Sequence, residues 1–177
     1  GDVSSVDYIP DSSIVAVNGM LKLAKKNSSE TIGGLSGSGT VRGHEAVSIS
    51  ASGLVINNSS AHTFSGVLEN GGASGSTLSL TQSGSGTQTL TGANTYTGAT
   101  NINGGTLALT GTATLPSSTI TVASGAFFDV SGLTGGFTLG EAKTLKGEGT
   151  VTGDVSDDAA GIGVITAGNG TSGTLSI

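Results

Sequence analysis

The chain has no cysteine, which excludes a disulfide framework, a thiolate metal site and a cysteine nucleophile. It has no tryptophan, and aromatic residues make up only 3 % of it. Charge is scarce too, since Asp, Glu, Lys and Arg together reach 10 %, against about 25 % in an ordinary soluble domain. Twelve acids outnumber six cations for a net charge of −6. That leaves too little positive charge to neutralise a phosphate backbone, so no nucleic-acid partner is expected. Of the cations only Lys22, Lys25 and Lys26 cluster, and three charges near a strand end read as a solvated edge; Arg42, Lys143 and Lys146 stand apart. No apolar run reaches the roughly 18 residues that span a bilayer, so no membrane insertion by this chain is expected. The start Gly1-Asp2-Val3 lacks the basic and apolar regions of a signal peptide. The signal and anchor of a secreted parent would therefore lie outside it.

What is abundant is glycine, 32 of 177 residues, together with Ser, Thr and Asn. Such composition often marks disorder. Here the mean hydropathy is slightly positive, and the apolar residues fall in short alternating runs: Val47-Ser48-Ile49, Thr106-Leu107-Ala108-Leu109, Thr119-Ile120-Thr121-Val122. Some sixteen to eighteen candidate strands, separated by Gly, Asn and Ser turns, and no helical stripe predict an all-β fold.

Internal similarity selects the architecture. Leu35-Ser36-Gly37-Ser38-Gly39-Thr40-Val41, Ser83-Gly84-Ser85-Gly86-Thr87 and Leu145-Lys146-Gly147-Glu148-Gly149-Thr150-Val151 each place a Gly-x-Gly-Thr turn before an alternating strand. Leu90, Leu109 and Phe128 recur every 19 residues, which predicts one apolar column in a stack of eight or nine coils about 40 Å long. Asn70-Gly71-Gly72-Ala73-Ser74-Gly75 interrupts the spacing and reads as a loop pushed out of one coil. The expected fold is a right-handed parallel β-helix, one domain over 1–177, with residues 1–11 as a loose N-terminal tail or cap. Glycine serves its corners through positive φ or close backbone approach.

Chemistry is sparse. From Asn70 through Phe128 there is no Asp, Glu, Lys, Arg or His, and an unactivated Ser or Thr is not a nucleophile. His44-Glu45 and His62 stand 18 residues apart, close to one coil, which makes a two-His, one-Glu metal site conceivable and exposed strand edges the simpler reading. Asp154, Asp157 and Asp158 read as a solvated acidic turn, lacking the repeat of calcium-binding β-rolls. Carboxylate pairs for polysaccharide chemistry would be Glu45 with Glu69 or Glu141 with Glu148, none beside an aromatic platform. The Gly-x-Gly turns precede no helix, which removes a phosphate loop. Thr-x-Thr pairs at Thr87, Thr95, Thr110, Thr119 and Thr150 would suit an ice-binding face if they stacked, but are irregularly spaced. The expectation is no catalytic residue, no metal and no cofactor.

Residues 80–109, with the core Leu90-Thr91-Gly92-Ala93-Asn94-Thr95-Tyr96-Thr97-Gly98, closely resemble the autotransporter-associated β-strand repeat, also called the passenger-associated transport repeat. Phe64-Ser65-Gly66-Val67-Leu68, Ile165-Thr166-Ala167-Gly168-Asn169 and Gly173-Thr174-Leu175-Ser176-Ile177 look like weaker copies. The resemblance implies a secreted or cell-surface protein, folded outside the outer membrane, in which this segment is a non-catalytic stalk assisting export. Its partners would be the neighbouring β-helix repeats, with adhesion to glycan or a host surface through a Thr/Asn face as the alternative. Asn94 is expected to bond turn backbone, and Tyr96 to pack over a corner. Two positions depart from the usual pattern, which has a basic residue at Gln82 and an apolar one at Gln88. Gln88 would break the inward alternation that Leu90 continues, so it belongs at a corner or in an internal amide ladder.

Overall fold

The computed structural model describes residues 9–23, 27–45, 48–157 and 163–167, and all its described structure is strand, turn or coil. Short runs of alternating apolar and hydroxyl residues form nineteen strands: β1(Ile14–Ala16), β2(Met20–Lys22), β3(Ser29–Ile32), β4(Gly34–Ser36), β5(Thr40–Arg42), β6(Ala51–Ile56), β7(His62–Phe64), β8(Val67–Glu69), β9(Thr77–Gln82), β10(Thr87–Leu90), β11(Thr100–Ile102), β12(Thr106–Gly111), β13(Thr119–Val122), β14(Phe127–Leu133), β15(Phe137–Leu139), β16(Thr144–Gly147), β17(Thr150–Thr152), β18(Val155–Asp157) and β19(Val164–Ala167).

Among the described residues every pairing is parallel and joins a strand to a counterpart one coil away, so the chain winds into a β-solenoid. The first face is the most regular, a seven-stranded sheet in the order β19-β16-β13-β11-β9-β6-β3. The second runs through β1, β4, β7, β10, β12, β14 and β17, with a thin place between β4 and β7, joined there by a single bridge from Gly37 to Phe64. The third is broken: β2, β5 and β8 form one sheet, β15 and β18 another, and between them the chain crosses the face without regular strands. Seven coils result, about 30 Å of rod.

Seven rather than eight or nine coils follow from the coil length. Thr100 pairs with Ile120, an offset of 20, but Thr40 pairs with Val67, an offset of 27. The 19-residue spacing holds for one step, where Leu90 lies over Leu109. Coil five is longer by two residues there, so Phe128 sits over Leu107 instead. The extra length is mostly in loops. Asn70 to Ser76 is an excursion as expected, and it rests on described residues between β5 and β6: Ser76 Oγ accepts from the Ser50 amide, and Gly71 packs on the His44 carbonyl. Of the run Val47-Ser48-Ile49, Ser48 and Ile49 lie outside any strand, with Ile49 exposed, and Val47 lies outside the described residues.

Inward residues make continuous columns. On the first face Leu54, Leu80, Thr100, Ile120 and Leu145 stack in register, all buried. On the second, Gln88, Leu107, Phe128 and Val151 stack, and Phe128 meets Phe137 of the third face edge-on, with ring centroids 5.3 Å apart. The Gly-x-Gly-Thr turns are corners: Thr40, Thr87 and Thr150 open β5, β10 and β17.

Candidate functional site

The fourth coil, β10 through β11, is where side-chain chemistry concentrates. It carries no charge, so its polar groups are amides and hydroxyls. Three amides are buried inside or beside it, Gln82, Gln88 and Asn94, with Asn58 one coil below.

Gln88 faces inward on the second face and is fully buried. Its Oε1 accepts from the Leu35 amide at 3.1 Å, and its Nε2 donates to the Leu35 carbonyl at 3.0 Å, two coils away. Those two Leu35 groups lie where the β4–β7 ladder is interrupted, so the side chain supplies the donor and acceptor that a neighbouring strand would have supplied. Of the two expected placements, the internal amide is the observed one. Asn94 acts similarly on the third face: its Oδ1 accepts from the Leu68 amide below, and its Nδ2 donates to the Thr114 carbonyl above. Gln82 donates from Nε2 to Asn58 Oδ1 and to the carbonyls of Gly84 and Gly86, which orients the amide; its Oε1 has no partner among the described residues. Asn70, at the foot of its loop, accepts from the amides of Leu78 and Thr97. Gln82, Asn58 and Asn70 were not singled out from sequence as interior bonding groups. The signal present was strand parity, since Gln82 follows Leu80 by two and must share its inward face.

Tyr96 sits at the corner before β11 but points inward and is wholly buried. Its hydroxyl is 2.7 Å from Thr100 Oγ1, which is itself bonded to Ser117 Oγ. Burial pushes the phenol up to about 12, with the bonds to Thr100 and Ser117 pulling modestly the other way. Because the folded value lies above the ordinary 10.0, the stability this proton confers is full below pH 10 and lost as pH rises towards 12. Alkaline unfolding curves should therefore steepen in that window, and Tyr96→Phe should flatten them. Identical curves for the two proteins would contradict it.

The charged residues gather elsewhere, on the outside of the third face. Lys22 Nζ lies 2.7 Å from Glu45 Oε2, Arg42 Nη1 2.8 Å from Glu45 Oε1, and Arg42 Nε bonds Glu69 Oε1. The bonds from Lys22 and Arg42 hold the Glu45 carboxyl below the usual carboxylate range, and Glu45 then Glu69 raise the Arg42 guanidinium. A glycosidase acid needs the shift opposite to that of Glu45, and both Glu45 and Glu69 bond to cations. Arg42, Glu69, Asn70 and Thr95 line a shallow groove of about 320 Å³ there.

The other candidates are dispersed. His44 lies in the loop after β5, while His62 stands in β7 on the second face with Nε2 3.1 Å from Ser60 Oγ; the coil between them is too long to stack them. No group of three metal-ligating side chains occurs among the described residues. Asp154 and Asp157 are exposed, and Asp157 accepts from the Gly163 amide; Asp158, Lys25 and Lys26 lie outside the described residues, as do 1–8 and 168–177. Thr87 and Thr150 share an outward column with Thr106, but Phe127 interrupts it, and Thr119 belongs to a different face. The hydroxyl pairs thus build no single flat surface. No described helix is long and apolar enough to cross a membrane.

A family comparison addresses the same stretch that holds the buried amides and Tyr96. Residues 80–109 match the passenger-associated-transport-repeat. The repeat thus begins midway along β9, takes in the whole fourth coil and ends within β12, at the centre of the stack. It is the type of segment carried by autotransporter passengers, a family of secreted or surface-exposed proteins. No curated protein and no solved structure matches the chain.

Proposed function

We propose that this chain is a non-catalytic rod of a secreted or cell-surface protein, and that its central repeat assists export by locking neighbouring coils together as they fold outside the cell. The observation that carries this reading is the coincidence of the matched repeat with the coil whose amides bond three others: Gln88 to coil two, Asn94 to coils three and five. A solenoid is stabilised by nearest-neighbour contacts, so a coil reaching past its neighbour raises cooperativity where a chain emerging in sequence needs it. The ion-paired carboxylates and the uncharged central stretch support a structural role.

Register offers a clean test. Leu80 pairs with Thr100, so deleting residues 80–99 removes one coil and leaves the strands above and below in phase. In the protein expressed in a Gram-negative host, this deletion should lower surface display several-fold at equal synthesis. Unchanged display would remove the export role and leave a rod one coil shorter.

A further inference from the structure

The third face has a gap between coils five and six, and its cause can be traced. Thr110 pairs with Gly132, an offset of 22, but Thr119 pairs with Thr144, an offset of 25. Coil six therefore spends three more residues than coil five on crossing the third face, and Gly135 and Gly136, both at positive φ, turn the surplus outward. Opposite it, Pro116 brings no N–H to pair. The result is a groove of about 340 Å³ floored by Leu115, Leu133 and Phe137, with Lys143 on its lining.

Along one wall runs β15, which among the described strands pairs only with β18. Phe137 N donates to the Asp154 carbonyl in coil seven. Neighbouring residues of a strand present their N–H and C=O to opposite sides, so Thr138 directs both of its groups into the groove. An open strand edge beside apolar side chains is the arrangement by which sheets take up extended peptides, backbone to backbone, with alternate side chains in the pockets. The cation on the lining adds one more requirement.

We propose that this gap is a peptide-docking site: an extended segment of a partner protein adds as a strand to the open edge of β15, places an apolar side chain over Leu115 and Phe137, and sets a carboxylate against Lys143. The occupant has a stated chemistry because each wall specifies one part of it. Thr138 asks for a backbone amide, the floor for an aliphatic group, and Lys143 for an anion. Among the described residues no ion pair of Lys143 competes for that anion.

The probe is an acetylated hexapeptide of alternating threonine and valine with a free C-terminal carboxylate, titrated into the 15N-labelled 177-residue chain. Saturable shifts of the Thr138 and Phe137 amides are expected. Amidating the peptide, or Lys143→Gln in the protein, should weaken binding roughly two- to fivefold. N-methylating the peptide amides leaves its side chains and should weaken binding by about fivefold or more. Thr138→Pro should do the same, at an edge position where proline is tolerated. An N-methylated peptide that binds as tightly as its parent would overturn the proposal without relying on any variant's folding. Shifts confined to the end strands β1 to β3 or β17 to β19 would also overturn it. So would Thr138 shifts that grow with protein concentration in the absence of peptide, which would assign the edge to a second copy of this chain.

Discussion

Replacing Gln88 with leucine should destabilise the protein by about 3 kcal/mol, read as a shift in the urea midpoint. The alternation of β10 points the other way. Leu90 is inward, Leu107 and Phe128 stack on position 88, and an apolar residue there would complete the column. Bonding decides against it. Gln88 is the partner of both the N–H and the C=O of Leu35, and each buried group left unpaired costs about 1–3 kcal/mol. The gain from burying a few more methyl groups does not cover two such losses. A protonated glutamic acid offers the same donor and acceptor, so Gln88→Glu should recover towards acid pH, where its proton is retained. If Gln88→Leu matched or exceeded the wild-type midpoint, the amide would not be bridging coils two and four.

Gly66→Ala should cost about 3 kcal/mol, although its φ is open to alanine. At the corner between the second and third faces Gly39, Gly66 and Gly92 lie one above another. A Cβ on Gly66 would fall onto the Gly39 carbonyl oxygen, and one on Gly92 onto that of Gly66. The Gly39 oxygen cannot step aside, because it accepts the Val67 amide at 3.0 Å and so holds coils two and three together. Phe64 closes the other side, with its ring tip 2.5 Å from the same Cβ position. Gly19, on the first coil, meets nothing within 4 Å, and Gly19→Ala should shift stability by less than about 0.5 kcal/mol. Equal midpoints for Gly66→Ala and Gly19→Ala would show that close stacking is not what keeps alanine out of this corner.

These two residues also show how far the sequence could be read. Gly66 was legible only as part of a weaker copy of the repeat, and Gly37, Gly84 and Gly147 as turn residues of one kind. Yet only stacking separates a glycine needed for positive φ alone, as at Gly125 and Gly135, where a Cβ would meet nothing within 4 Å, from one needed for closeness, as at Gly66. Gln88 was legible as an interruption of the inward pattern, and its partner was not, because Leu35 is 53 residues away. The suggested approach of His44 to His62 failed for the same reason that the coil count did: the length of chain between β5 and β6 and the loop at Asn70–Ser76 lengthen coils two and three, and a fixed period cannot anticipate that.

Fold class, strand direction of side chains, the central repeat and its chemical bareness were all determined by the sequence alone. Those are local properties: alternation with period two, glycine at turns, and the residue types available in a stretch. The number of coils, the partners of the buried amides, the capture of Glu45 and Glu69 by Arg42 and Lys22, and the open edge of β15 were decided only by the tertiary structure. Each depends on the register of one coil upon the next. A coil that is one residue longer changes every neighbour above it while leaving its own sequence pattern almost untouched, and so the stacking, where these groups meet, is written in no single stretch of the chain.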